Sequence, residues 1–492
     1  MSDGNLRPPA HAHPQQTDVL AALRNIVGAR HVTTDADLLA PWLTDWRGRY
    51  TGAALALISP GSTAEVAMVL KLCARRGIPV VTQGGNSGMV GGATPDASGT
   101  QLLLSTRRLT EMRIDAAGVA DCGAGVVLEN LHAKANEAGL RFPLSLGGKG
   151  SATIGGLVST NAGGTQVLRH GTMRALVLGL EVVLADGQVL DAMTGLRKDN
   201  RGFELKQLFI GSEGTLGIVT RASLKLVPDT TSRITVWAGV RDLQTARQLL
   251  LLCQKAATEA LEGFEVLPQG CLDRVVAYLP GARRPLKAVH AWHCLVEFVS
   301  SHAASADTLA GTVQNTLVSA VEGGLVEDAV VASSEAQADA FWALRENIAA
   351  AEKAHGPAVQ HDISVPPEIM PEVVDRLSTL IETSFPDHTV AAFGHLGDGN
   401  IHYHVQAPVD APADWSITLA PAISAAVYDA VTRDGGSISA EHGIGQDKIA
   451  ALARTHSPVA LDLMRRIKTA LDPAGLLNPG KLVPLAPTVS TP

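Results

Sequence analysis

AALALISPGSTAEVAMVLKLCARRGIPVVTQGGNSGMVGG, residues 53–92, sets the architecture of the first half of the chain. Residues 53–59 are an apolar run of strand length. Ser62-Thr63-Ala64-Glu65 is a capping box, and apolar residues at helical spacing follow it as far as Gly77. Residues 78–83 read as a second buried strand. Together they form a β-α-β unit that runs into a glycine-rich loop, residues 84–92. Glycine lets backbone N–H groups converge on an anion with no Cβ in the way.

Two more glycine clusters follow, at residues 147–164 (GGKGSATIGGLVSTNAGG) and 211–217 (GSEGTLG). One such loop serves a tight turn as readily as a ligand. Three, each beside an expected strand, point to a large phosphorylated ligand such as a dinucleotide cofactor. Gly123-Ala124-Gly125 opens like a dinucleotide fingerprint, but Leu128 stands at the third glycine position, so it reads as a strand-to-helix turn ahead of a helix over 128–138. No Gly-Lys-Ser/Thr signature of a P-loop is present. Asp186-Gly187 marks a hairpin between strands near 178–184 and 189–190. After Val227-Pro228-Asp229 the glycine clusters stop and strands alternate with helices, as in a separate α+β domain. Ser457-Pro458 and Asp472-Pro473 bracket a last helix.

Composition narrows the function classes. The chain has 492 residues, 46% hydrophobic and 18% charged, enough for two or three domains with sizeable cores. Forty Lys+Arg against 48 Asp+Glu leave a formal charge of −8, which argues against a nucleic-acid partner. Five scattered cysteines without a CxxC offer neither a disulfide framework nor a Cys-type zinc site. The first residues lack an apolar leader core, and no run approaches the roughly 18 apolar residues of a membrane span. The expectation is a cytoplasmic protein without a transmembrane segment.

The densest chemistry lies in TVAAFGHLGDGNIHYHV, residues 389–405. With Asp398-Gly399 as a two-residue hairpin turn, His395 faces His402, and His404 follows on the same face. Directly opposed Cβ atoms lie roughly 5 Å apart, close enough for two imidazoles to converge on one cation. Glu441-His442 adds a carboxylate and another imidazole between short or flexible residues. His, His and Glu suit Zn²⁺, Mn²⁺ or Fe²⁺ with a position left open for substrate. A lone histidine here would read as a satisfied polar residue of the hairpin; three on one face, joined by Glu-His, favour a site.

Six stretches in order, PVVTQGGNSGMVGG, residues 147–187, LFIGSEGTLGIVT, GHLGDGNIHYHV, EHGIGQDK and LDPAGLLNPGK, resemble the FAD-linked oxidases of the vanillyl-alcohol oxidase type, and within them the D-2-hydroxyacid dehydrogenase group. The resemblance covers about residues 40–483. It implies an α+β fold: a disordered tail over 1–18, a FAD-binding domain of two α+β subdomains over 19–228, an α+β substrate domain over 229–434, a C-terminal segment over 435–484 returning to the flavin, and a disordered tail over 485–492. It places the FAD pyrophosphate at Gln83, Gly84, Gly85, Asn86, Ser87, Gly88 and Met89. The flavin follows Gly147, Ser151, Gly155, Gly156, Ser159, Asn161 and Ala162. Gly217 and Ile218 fall on the adenine side, and Asn478 near the isoalloxazine. The first loop lacks the histidine through which some relatives attach FAD, so the cofactor is expected to be non-covalent.

The resemblance also makes His395, His402 and Glu441 the ligands of a divalent metal, most readily zinc, and puts His442 beside the reacting carbon as general base. His404 is a further substrate-facing candidate. The implied chemistry is metal-assisted oxidation of a D-2-hydroxy acid, with the Cα hydrogen leaving as hydride to flavin N5. Spacing alone reads Arg345 as a surface helix arginine paired with Glu346 or Glu352. The resemblance makes it the substrate-carboxylate clamp. Ala349, Gln360 and His404 depart from the D-2-hydroxyglutarate pattern of Thr, Lys and Asn, which shifts expectation toward D-lactate or a bulkier acid. Arg47 and Arg49 read as part of a solvated loop. Other readings are an O₂-using oxidase of a hydroxy acid or alcohol, or an electron-relay subunit of a glycolate-oxidase-like complex. A quinone, a cytochrome or an electron-transfer flavoprotein would take the electrons, and a homodimer is the base expectation.

Overall fold

A computed structural model describes residues 14–193, 198, 200–257, 259–412 and 414–484. The opening β-α-β unit forms as its sequence requires. Strands Ala56–Ile58 and Val80–Gln83 flank the helix Thr63–Arg76. Ser62 Oγ accepts a hydrogen bond from Glu65 N at 3.2 Å, and Glu65 reaches back to Gly61 N at 2.7 Å, one residue earlier than a standard capping box. Gly77 ends the helix at φ +63°, a left-handed cap that glycine adopts without strain. Both strands run parallel to Leu102–Ser105, and Val32–Thr33 adds an antiparallel edge.

A second, wholly antiparallel sheet takes its strands in the order Met112–Ile114, Val119–Gly123, Ile218–Lys225, Val177–Val183 and Val189–Ala192. The Asp186-Gly187 hairpin is present, with Val183 opposite Val189. Gly123 and Gly125 are required by packing: an added Cβ would lie 2.2 Å from the carbonyl oxygens of Leu109 and Thr106 respectively.

Seven antiparallel strands form the third sheet, in the order Asp328–Val331, Ser232–Val240, Trp292–Ser300, Leu261–Pro268, Thr389–His395, Asn400–Gln406 and Ala358–Ser364. One face packs on helices Leu243–Ala256, Ala306–Glu322, Met370–Ser384 and Ala420–Arg433 in the largest core of the protein. The helix Pro458–Leu471 returns to the first half, where Ile467 and Leu471 pack on the core of the second sheet. Leu477 then enters the core of the first sheet and bridges Val80.

Two expectations change. The helix Pro14–Val27 begins inside the stretch read as a tail over 1–18, because Val19, Leu23 and Val27 recur at helical spacing and are buried. Residues 1–13 and the tail 485–492 lie outside the described residues. The hairpin at 398–399 has a wider turn than expected. His395 pairs with Asn400 and Phe393 with His402, two residues from the expected register. An even slip preserves the face of every side chain, so His395, His402 and His404 still point the same way. No helix among the described residues is long and apolar enough to cross a membrane.

Candidate active site

Three neighbouring strands at one end of the third sheet carry the site on one face. His395 comes from Thr389–His395, His402 and His404 from Asn400–Gln406, and Asp362 from Ala358–Ser364, where it pairs with His402. The His395 and His402 rings lie 5.7 Å apart, and His442 stacks 6.5 Å from His402. Ligand atoms of His395, His402 and Glu441 all fall within 4.8 Å of one another. Asp362, Glu441 and His442 form a second such group. The segment carrying Glu441 and His442 follows the helix Ala420–Arg433 and turns sharply through Gly443 and Gly445, both at positive φ.

Two buried carboxylates orient these groups. Glu265, on Leu261–Pro268, accepts from His395 Nδ1 at 2.5 Å and from Arg345 Nε at 2.7 Å. His395 Nε2 is thereby turned toward Glu441 Oε1, 3.9 Å away. Asp362 accepts from the backbone N–H of Glu441 and His442 and from Asn400 Nδ2, at 2.8, 2.9 and 2.9 Å. It also faces His442 Nδ1 at 3.6 Å and His402 Nδ1 at 3.8 Å. Carboxylates behind imidazoles fix ring orientation and tautomer in metal sites.

Burial is the largest influence on protonation at each of these groups; partners override it at His395 and Glu265 but not at Glu441 and His442. Burial disfavours a charged His395, but Glu265 outweighs it and holds the imidazole at about 9. Burial likewise opposes charge on Glu265, yet His395 and Arg345 keep it down at about 2. Glu441 is pushed up to about 7 by burial, with His395 opposing. Burial pushes His442 down to about 4 against the pull of Asp362, so the ring is neutral at pH 7.

Arg345 is not the surface residue that spacing favoured. It is 8% exposed, pairs with Glu265, and lies 5.3 Å over the Phe393 ring, next to His395 and His402. Glu352 pairs instead with Arg274 at 2.7 Å. Only Nε of Arg345 is hydrogen-bonded among the described residues, which leaves both terminal nitrogens for a ligand. His404 is 5% exposed, and its Nδ1 has no partner among the described residues. Arg47 acts electrostatically on both His404 and His442, so its loop borders the site. Arg49 also acts on His442, and pairs with Asp447 at 2.9 Å.

The glycine loops form a continuous cradle. Gly84 meets Thr153, where an added Cβ would lie 2.2 Å from Oγ1, and Gly85 meets the Ser151 carbonyl oxygen at 1.8 Å. Gly88 and Gly147 instead face open space. The buried oxygens Thr82 Oγ1, Gln83 Oε1, Thr106 Oγ1 and Thr153 Oγ1 lack partners among the described residues along this cradle. Orphaned buried acceptors beside an open channel fit a polar cofactor with several donors and acceptors. Gly163 closes the cradle at the metal-ligand candidates: an added Cβ would lie 3.4 Å from Glu441 Oε1.

Several expected cofactor residues hold the cradle together with their side chains. Gln83 Nε2 donates to the Trp42 and Ala93 carbonyls, and Asn86 Nδ2 to that of Thr44. Ser159 Oγ and Ser151 Oγ donate to the Gly155 and Gly148 carbonyls. Asn161 Oδ1 accepts from Thr172 Oγ1 and Arg174 N. Asn478 Oδ1 accepts from Thr82 N at 3.0 Å, while its Nδ2 donates to the Glu213 carbonyl at 2.6 Å. Ala162 and Gly156 lie on the same stretch, whereas Gly217 packs on Val182 and Phe209 and Ile218 is buried in the core, so these last two offer backbone alone. Beside the cradle, a cavity of about 460 Å³ lies between Thr160, Asn161 and the 435–444 segment, with Glu441 on its wall.

Residues 54–193 match the family described as "FAD binding domain", and residues 230–482 match "FAD linked oxidases, C-terminal domain". The chain belongs to the FAD-linked oxidases. Along nearly its whole length it is similar to proteins named D-2-hydroxyglutarate dehydrogenase. The Bos taurus protein is 40% identical over 95% of this chain and 84% of its own. One from Oryza sativa subsp. indica, named as probable, is 37% identical over 97% and 84%. The Xanthomonas citri pv. viticola protein is 36% identical over 94% and 96%. This FAD-dependent enzyme therefore falls in the D-2-hydroxyacid dehydrogenase group. Its fold is of the vanillyl-alcohol oxidase type, as in p-cresol methylhydroxylase (TM-score 0.73, 16% identity, 96% of this chain and 98% of that one) and alkyldihydroxyacetonephosphate synthase (0.71, 16%, 96% and 87%).

These relatives correct the cytoplasmic expectation. It rested on the lack of an apolar leader and of membrane spans, and the Bos and Oryza proteins are named mitochondrial. Neither feature distinguishes cytoplasm from an organelle interior. Glu265 and Asp362 escaped the sequence reading. Glu265 lies 80 and 130 residues from its partners, and no local pattern marks it. Asp362 sits in a visible strand, QHDISVP, but its hydrogen-bond partners, Asn400 Nδ2 and the backbone N–H groups of Glu441 and His442, are 38 to 80 residues away.

Proposed function

We propose that this FAD-dependent enzyme oxidises a D-2-hydroxy acid to the 2-oxo acid, with His395, His402 and Glu441 holding a divalent cation and His442 acting as base. The observation that carries this reading is the convergence of the three ligand atoms within 4.8 Å, backed by Glu265 and Asp362. The donor set is two imidazoles and a carboxylate, as in open Zn²⁺, Mn²⁺ or Fe²⁺ sites. Four carboxylates, Glu265, Asp362, Asp398 and Glu441, crowd this region, with His395, Arg345 and Lys448 as the cations among them. When bound, FAD supplies the two-electron acceptor and the cation a Lewis acid for the substrate hydroxyl.

The chain's own residues do the rest. Arg345, anchored through Nε, offers its terminal nitrogens to the substrate carboxylate in bidentate fashion. Neutral His442 has Nδ1 turned to Asp362, so Nε2 is the nitrogen that receives the hydroxyl proton. The cradle of Gln83 to Met89 and of Gly147 to Ala162 takes a non-covalent cofactor through backbone N–H groups and the unpaired oxygens Gln83 Oε1 and Thr153 Oγ1. Phe393 packs against both the His402 and His404 rings, with centroids 5.2 and 5.1 Å apart.

D-2-hydroxyglutarate is the first substrate to test, because similar proteins carry that name. Its far carboxylate would meet His404, Gln360 and the border set by Arg47 in place of the lysine and threonine of the D-2-hydroxyglutarate pattern. Anaerobic mixing with D- and L-2-hydroxy acids, followed by flavin absorbance, tests the reading. Bleaching by D-acids alone is expected; bleaching by none of them would refute it.

A further inference from the structure

The segment from Glu441 to Gly445 is gripped at both ends by buried carboxylates from opposite halves of the protein. Asp362 of the seven-stranded sheet takes the N–H groups of Glu441 and His442. Glu213, in the loop before Ile218, takes those of Ile444 and Gly445, one on each oxygen, both at 2.7 Å. Glu213 is 8% exposed and holds φ +51°, an uncommon conformation for a residue with a side chain. Its backbone is locked as well: its N–H donates to the Ser159 carbonyl at 2.8 Å, and its carbonyl accepts from Asn478. Ser159 and Asn478 both belong to the cofactor cradle. At Gly443, φ is +80°, and an added Cβ would lie 2.8 Å from Glu213 Oε1. Only glycine lets the segment approach this closely.

We infer that Glu213 is a positioning residue: it fixes the 441–445 segment to the FAD half, so that Glu441 and His442 meet His395 and His402 of the other half in one geometry. This rests on the proposed metal and base. Bonds from N–H groups to a buried carboxylate are among the strong ones, and two of them at adjacent residues leave the peptide little freedom. A glutamine at 213 would turn an NH₂ toward an N–H, donor against donor.

Co²⁺ titration of the flavin-loaded, metal-stripped protein, read by visible absorption, tests the inference together with kcat. Wild type is expected to bind one Co²⁺. Glu213→Gln should bind it about 10–100-fold more weakly, as for other groups behind metal ligands, with a changed band shape, lower kcat and unchanged flavin content. Glu213→Asp, which keeps the charge, should recover part of the loss. Gly443→Ala should reproduce the loss, and the double variant should fall short of additivity. If Glu213→Gln does not fold, Glu213→Asp and Gly443→Ala carry the same reading. Wild-type Co²⁺ affinity and band shape in these variants would overturn the positioning role alone. That role fails equally if they lose flavin and stability together without any change in the cobalt spectrum. No Co²⁺ binding by wild type would instead overturn the metal proposal itself.

Discussion

At the scale of single residues, the site works by giving identical side chains different surroundings. His395 lies against Glu265, whereas His442 is buried with Asp362 beyond hydrogen-bond reach, so their protonation preferences diverge to about 9 and about 4. A base must be neutral to accept a proton. Because the His442 pKa is lowered, its active form is present above about 4 and is lost only as pH falls through that value. The acid limb of kcat/KM is therefore expected well below the usual histidine range of about 6.5. His442→Ala should retain bound metal and lose about 100-fold or more in kcat. Normal turnover would reassign the base. Glu265→Gln should weaken metal binding about 10–100-fold, measured by metal content after dialysis, because His395 and Arg345 lose their common anchor.

The histidines of this site were legible in sequence, since Asp-Gly and period-two alternation put them on one face. Glu265 was not, because its contacts span the chain. Arg345 shows the difference sharply. Its helical spacing pointed to Glu346 or Glu352, but the tertiary fold gave Glu352 to Arg274 and buried Arg345 against the strand Leu261–Pro268.

At the scale of elements, local punctuation marked helix ends, even where the N-cap residue makes no side-chain cap hydrogen bond, as at Val127 and Ser457. The helices Thr63–Arg76, Leu128–Glu137 and Pro458–Leu471 begin and end within a residue or two of their sequence signals. Hairpin register was the weaker inference. The turn at 398–399 is set by packing against Val365, just past the strand Ala358–Ser364: a Cβ on Gly399 would lie 1.9 Å from the Val365 carbonyl oxygen, and φ is +80°. That long-range contact widens the turn and displaces the register by two. Gly399→Ala is expected to destabilise the protein by about 2 kcal/mol or more, through strain and displaced backbone. A urea midpoint equal to that of wild type would show that the turn relaxes freely.

At the scale of the whole molecule, the two halves are joined by ionic contacts as well as by the site. Glu262, on the seven-stranded sheet, is 2% exposed and binds Arg141 and Arg169 of the FAD half, with His170 at 3.5 Å. Burial opposes its charge, but Arg141, His170 and Arg169 outweigh burial and hold the carboxyl well below the usual range. The contribution of a lowered carboxyl is fully present above its unfolded value of about 4.3 and fades as pH falls through the folded one. Stability measured by urea should therefore drop as pH falls below about 4.5, and less steeply in Glu262→Gln. At neutral pH that variant should lose about 3 kcal/mol, since removing one partner strands buried cations. Equal slopes in the two proteins would show that Glu262 does not join the halves in this way.

The cooperation of a flavin cradle in one half with histidines in the other is the central claim, and anaerobic flavin reduction by D-2-hydroxyglutarate, before and after chelation, tests it most directly. Chelation is expected to leave FAD bound, abolish bleaching, and be reversed by added Zn²⁺ or Mn²⁺. Undiminished bleaching in protein verified to contain no metal would contradict it.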